Sequence, residues 1–154
     1  MKVVTSYFYK IRFFTPNIIP LSTALYDPKW FHQNKGKDYI FLDKNGVING
    51  LRCEMFMPGP ECSNLCKGSD ACQSNPENCD FLRKYREQLD KLDIKQVIKA
   101  LSIVSEKLQR SMKFEEEPVM ALIVHEAPSK ICSEREVIRE WSKANGFPIQ
   151  EWGG

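Results

Sequence analysis

The sequence predicts one α/β domain over residues 1–154, with a small, largely parallel sheet flanked by helices and a cysteine-rich insert at 58–80. Three observations predict it. Val119-Met120-Ala121-Leu122-Ile123-Val124 is a continuous apolar run, as expected of a strand buried on both faces. Helical periodicity fills the stretches before and after that run, giving the strand–helix–strand order of a layered domain. At 154 residues, with 42% hydrophobic and 11% aromatic side chains, the chain has enough apolar mass for a single packed core.

The elements follow in order. Val3-Val4-Thr5-Ser6-Tyr7-Phe8 is β-branched and aromatic, a first strand. Asn17-Ile18-Ile19-Pro20-Leu21-Ser22 is a second, and Pro20, which lacks an N–H, places it at a sheet edge or a strand end. Tyr26 to Phe31 reads as a loop carrying aromatics. Residues 39–42 and 47–56 read as a hairpin turning at Asn45-Gly46. Beyond the insert, Phe81, Leu82, Tyr85, Leu89 and Leu92 recur at steps of three and four, one face of a helix. Asp93 caps a second helix, with Gln96 at the reciprocal position. Its stripe of Ile94, Val97, Ile98, Leu101, Val104, Leu108 and Met112 reads as core packing. Ser133 and Glu136 form a Ser-x-x-Glu start for a last helix with Val137, Ile138 and Trp141 inward, and Asn145-Gly146 ends it. Residues 147–152 read as a short final strand.

Charge and hydropathy exclude several classes. With 22 basic and 20 acidic side chains, a net charge of +2 gives no general attraction to nucleic acid. No apolar run is long enough to span a bilayer. Tyr, Lys and Arg interrupt the first residues, which argues against a secretory signal and for a cytoplasmic chain.

The insert holds three Pro, two Gly, three Asn and four Cys, and Leu65 is its main large apolar residue. Such a segment cannot bury itself and needs a staple. Cys62, Cys66, Cys72 and Cys79 are separated by three, five and six intervening residues, with Gly and Pro between, which lets four thiolates wrap one ion or one cluster. Structural zinc is the first reading. A 4Fe–4S cluster fits the four thiolates as well, although the spacing is neither a zinc ribbon nor a ferredoxin run. Two disulfides, or plain thiols, are the remaining reading, and disulfides require an oxidising compartment. Cys53 reads as an inward packing residue.

A second constellation lies at an expected strand end: His125-Glu126-Ala127-Pro128, then Cys132-Ser133-Glu134-Arg135. Ligands of open α/β sheets bind beyond the carboxyl ends of strands, against helix N-termini. A helix N-terminus lowers a thiol pKa, so Cys132 is a candidate nucleophile or pocket wall, with His125 beside it. Glu126 is a candidate base or ligand anchor and Arg135 an anion clamp. A structural role for each remains the competing reading. Ser6, Tyr7 and Ser133 would line the same site, with Lys29 and Trp30 holding a phosphate and a base. His32 receives no role.

In their order, Thr5-Ser6-Tyr7-Phe8, Ile19-Pro20-Leu21-Ser22-Thr23-Ala24, Pro28-Lys29-Trp30-Phe31, His125-Glu126-Ala127-Pro128, Cys132-Ser133-Glu134-Arg135 and Glu140-Trp141 resemble the bacterial family known as domain of unknown function 488. The resemblance spans most of the chain and implies a compact α/β domain. Many members carry a Cys-His-Arg triplet near the last helix, after a strand ending in Tyr-Glu-Lys-Pro. Cys132, Glu126 and Pro128 match, and Arg135 matches with one extra residue between. Ser133 stands where the family's histidine usually is, so a Cys–His mechanism would need His125 instead. The cysteine-rich insert resembles a subset of members. The resemblance implies no established reaction.

The leading functional expectation is a domain that binds or processes a small anionic ligand, such as a nucleotide or modified base. The alternatives are a metal-stapled module for nucleic acid or protein, using Lys67, Arg83, Lys84, Arg86 and Lys91, or an iron–sulfur redox sensor. No membrane partner is expected.

Overall fold

A computed structural model describes residues 1–63 and 74–154. Among the described residues six strands form: β1 (Lys2–Tyr7), β2 (Ile18–Ser22), β3 (Phe41–Leu42), β4 (Ile48–Asn49), β5 (Val119–Val124) and β6 (Gln150–Glu151). The α-helices described there include α1 (Pro60–Ser63), α2 (Asp80–Asp90), α3 (Ile94–Met112) and α4 (Glu134–Ala144). The expected mixed α/β domain is what the chain adopts.

The main sheet runs β2-β5-β1-β6, and every pairing in it is parallel. The apolar run at 119–124 forms β5, flanked by β1 and β2, and its last five residues are buried. Pro20 sits opposite Ala121 on β2, which is an edge of this sheet, where a residue without an N–H is tolerated. Beyond that edge β2 gains a single parallel bridge, Ser22 to Arg52, made by Ser22 N–H to the Leu51 carbonyl (2.9 Å) and Cys53 N–H to the Ser22 carbonyl (2.8 Å).

Strand alternation divides the core into two layers. Val3, Ile19, Leu21, Met120 and Leu122 point to one face, where Tyr85, Leu89, Val97, Leu101, Ile138 and Trp141 of the helices cover them. Val4, Ile18, Ala121 and Ile123 point to the other. Among the described residues no long helix covers this second face. Phe8 and Ile11 of a 3-10 turn (Phe8–Phe13), Phe31 of another (Lys29–His32), Phe14 and Val47 do so instead.

Helix ends follow their sequence signals. Asp93 Oδ1 accepts the Lys95 amide at 2.9 Å, and Ser133 Oγ accepts the Arg135 amide at 3.3 Å. Gly146, at φ 80°, closes α4 in the left-handed conformation.

Two expectations needed correction. In α3 the buried line is Val97, Leu101 and Ser105, whereas Val104 is 38% exposed, because a line of i, i+4, i+8 positions turns away from it. The hairpin exists, but β4 stops at Asn49. Gly50 has φ 104°, and a Cβ there would lie 2.3 Å from the Tyr39 carbonyl oxygen, so the chain bends away and residues 54–56 form a 3-10 turn.

Candidate functional site

Where β2 ends, the chain turns through Thr23 to Pro28 into the Lys29–His32 turn, and the bridge at Arg52 brings a distant cation beside it. Asp27 is the hub. Its Oδ1 accepts from the Ser22 hydroxyl, its Oδ2 lies 2.7 Å from His32 Nε2, and Arg52 Nε lies 3.3 Å from the same oxygen. The Asp27 and His32 side chains are 4% and 5% exposed, so this is a buried polar network. His32 Nδ1 faces the Tyr39 carbonyl at 3.1 Å. Both ring nitrogens thus face oxygen partners, a carboxylate on one side and a backbone carbonyl on the other. The Arg52 bonds to the Ala24 and Leu25 carbonyls are long, 3.5 and 3.4 Å.

This network forms the wall of an open cavity of about 650 Å³ lined by Leu25, Tyr26, Asp27, Lys29, His32, Asn34, Gly36, Lys37 and Arg52. Asp27 is the one carboxylate among these lining residues, and Ser22, His32 and Arg52 already engage it. Lys29 and Lys37 are exposed on the rim, where the Tyr26 ring is 84% exposed. The cavity therefore presents excess positive charge beside a solvent-facing aromatic ring.

The constellation expected at the end of β5 is separated by the fold. His125 is exposed and its Nε2 donates to the Tyr26 carbonyl at 2.6 Å, while its ring packs 4.8 Å from that of Phe8. His125 thus supports the cavity wall. Cys132 has no exposed surface and belongs to the helix-side core with Trp141 and Tyr85, where no soluble substrate reaches it. Arg135 is also fully buried: Nε donates to Glu151 Oε1 and Nη2 to the Glu126 carbonyl, both at 2.6 Å. Its guanidinium carbon lies 5.6 Å from the centre of the Tyr7 ring. Thr5 Oγ1 donates to the same Glu151 oxygen at 2.7 Å, and β1, β6 and α4 are tied together there. Arg135 Nη1 and Ser6 Oγ are buried without a hydrogen-bond partner among the described residues. Glu126 is half-buried, and Ser133 is buried as the α4 cap. Trp30 is 46% exposed and meets Phe8 edge-on at 6.1 Å, pointing to a different groove from the one that Lys29 lines.

Of the four insert cysteines, Cys66 and Cys72 lie outside the described residues, as does Lys67. Cys62 and Cys79 are both buried in the helix-side core. Burial raises the Cys62 thiol pKa, and Glu61, Glu134 and Glu87 push it further up, against the amide of Gly59. Cys62 Sγ is 3.9 Å from Gln88 Oε1, which also accepts the Gly59 amide at 2.8 Å. Among the described residues no group of three or more His, Cys, Asp or Glu is arranged to hold a metal. Cys53 is buried as expected, with its pKa pushed up to about 12 by burial.

On α2 the basic residues are paired along the helix: Arg83 with Asp80 (2.9 Å), Lys84 with Glu87 (3.2 Å) and Arg86 with Asp90 (3.0 Å). That face is a neutralised, solvated surface. None of the described helices is long and apolar enough to cross a membrane.

Asp27, His32, Lys37 and Arg52 escaped the sequence reading. Asp27 and His32 flank Pro28 at a spacing that matches no motif, and Arg52 joins them only through the long-range bridge to Ser22. No protein-family model, curated protein or solved structure matches the chain, so the resemblance drawn from its motifs stands on those residues alone.

Proposed function

We propose that the chain binds a small anionic ligand of the nucleotide class in the cavity at the end of β2. The observation that carries this reading is the charge of the lining: Lys29, Lys37 and Arg52 against one carboxylate that is already engaged. Lys29 and Lys37 would hold a phosphate as point charges, Arg52 would add N–H donors, and Tyr26 would offer a face for a base. The cavity volume of about 650 Å³ falls in the range of small-ligand sites. The Asp27–His32 pair keeps the wall rigid, and His125 holds it from behind through the Tyr26 carbonyl. Buried Arg135 would organise the sheet end, not clamp the anion.

Calorimetric titration with a nucleoside monophosphate, and separately with inorganic phosphate, tests this. A saturable signal that Lys29→Gln/Lys37→Gln weakens at least tenfold is expected. Undiminished binding in that variant places the ligand elsewhere, and no binding of either probe removes the reading.

The insert carries a second reading, a zinc staple through Cys62, Cys66, Cys72 and Cys79, with a 4Fe–4S cluster as its alternative. It is favoured by Cys62 and Cys79, which are buried at the two ends of the segment that holds the other two. The carboxylates that raise the Cys62 pKa also favour a nearby cation. Elemental analysis of anaerobically purified protein, with a visible spectrum, decides it: one zinc without colour, or iron with acid-labile sulfide. Metal-free folded protein removes both.

A further inference from the structure

A groove separate from that cavity lies on the sheet face that no long helix covers. We infer that it binds single-stranded nucleic acid, with bases on its aromatic floor and phosphates on its basic rims.

Three observations lead there. The first is charge. Between Phe8 and Cys53 the sequence holds seven Lys or Arg and three acids, Asp27, Asp38 and Asp43, although the whole chain carries only +2. Asp27 is bound within its network. Asp43 accepts from the Asn45 and Val47 amides (2.8 and 3.1 Å) and from Asn49 Nδ2 (3.1 Å), so its oxygens serve the hairpin turn. Unlike the paired cations of α2, Lys10, Arg12 and Lys44 make no ion pair among the described residues, and the carboxylate that shares the groove lining with Arg12 and Lys44, Asp43, is taken up by the turn.

The second is exposed aromatic surface. Trp30, Tyr9 and Phe13 are 46, 53 and 54% exposed. The Arg12 guanidinium lies 3.9 Å from the centre of the Tyr9 ring and Lys10 Nζ 5.4 Å from that of Phe13, so cations and rings alternate on one short turn.

The third is shape. A groove of about 610 Å³ runs between that turn and the β3–β4 hairpin, with Trp30 and Phe41 in its lining and Arg12 and Lys44 on opposite elements. Flat rings between two cationic rims suit unpaired bases on a charged backbone, whereas a duplex hides its base faces.

Fluorescence anisotropy of the full chain with a labelled oligothymidylate of about 12 nucleotides tests this. Saturable binding that weakens as salt rises is expected. Trp30→Ala/Phe41→Ala, which removes the two rings named in the groove lining, should weaken it about tenfold or more. Trp30 also packs on Phe8, so the exposed pair Arg12→Gln/Lys44→Gln serves as a second variant that leaves the core untouched; it should weaken binding about tenfold and flatten the salt dependence. The same pair should leave nucleoside monophosphate binding in the cavity unchanged, which separates the two sites. No binding at low salt, binding that both variants leave intact, or equal affinity for duplex of the same length would overturn the inference.

Discussion

His32 Nε2 lies 2.7 Å from Asp27 Oδ2, with both side chains almost fully buried, and this contact anchors the loop that shapes the cationic cavity. Two hydrogen-bond partners and one cation converge on one carboxylate there: Ser22 from β2, His32 from the Lys29–His32 turn and Arg52 from the segment after the hairpin.

Removing that carboxylate takes a hydrogen-bond partner from Ser22 and His32 and the counter-charge from Arg52. Asp27→Ala should cost about 3–5 kcal/mol, the usual cost of breaking a buried charged network by deleting one partner. Chemical denaturation measures it. A loss under about 1 kcal/mol would mean that water replaces the carboxylate and that the network does not hold the loop.

Arg135 makes a parallel case at the other side of the sheet end. Arg135→Ala should destabilise by a similar amount, about 3–5 kcal/mol, since Glu151 would lose its cation and the Glu126 carbonyl its donor. Adding Glu151→Gln should recover part of that loss, as the remaining charge is then removed. If the double variant is as unstable as the sum of the singles, the two residues act independently.

The difference between these two networks shows what was legible in the sequence. Arg135 stood out because it follows a cap signal, Ser133, and its partners come from neighbouring strands of a sheet that periodicity already predicted. The burial of β5 on both faces, the edge position of Pro20 and the caps at Asp93 and Ser133 were readable because each has a local cause. The Asp27 network has none. Its members are united by the bridge from Ser22 to Arg52, a contact between segments thirty residues apart that no spacing encodes. The separation of His125 from Cys132 was equally hidden, because both follow β5 and only packing sends one outward and the other into the core.

Cys132 gives a direct chemical test of that separation. With no exposed surface it should resist iodoacetamide in the native protein and react once urea unfolds the chain. Mass spectrometry of tryptic peptides reads the site. Rapid native modification of Cys132 at about pH 6 would restore it as an activated nucleophile.

Alkali should expose two buried acids whose pKa values burial raises. The Cys53 pKa is pushed from 9.0 to about 12 by burial, and burial raises Tyr85 well above 10.0. Both groups are neutral when protonated. Above pH 9 the unfolded chain releases the Cys53 proton while the native chain keeps it, so the unfolded state binds fewer protons and stability falls as pH rises. One such group costs about 1.4 kcal/mol per pH unit across its window, from 9.0 towards 12 for Cys53, with Tyr85 adding its own loss above 10.0. Urea midpoints measured from pH 8 upward should therefore be flat at first and then decline. Cys53→Ala should lower stability at pH 8 by leaving a small cavity, yet make the decline between pH 9 and 10 shallower, since one raised thiol is gone and the loss from Tyr85 begins only above 10.0. An unchanged slope in that variant would mean that the Cys53 thiol ionises at its ordinary pKa in the folded chain.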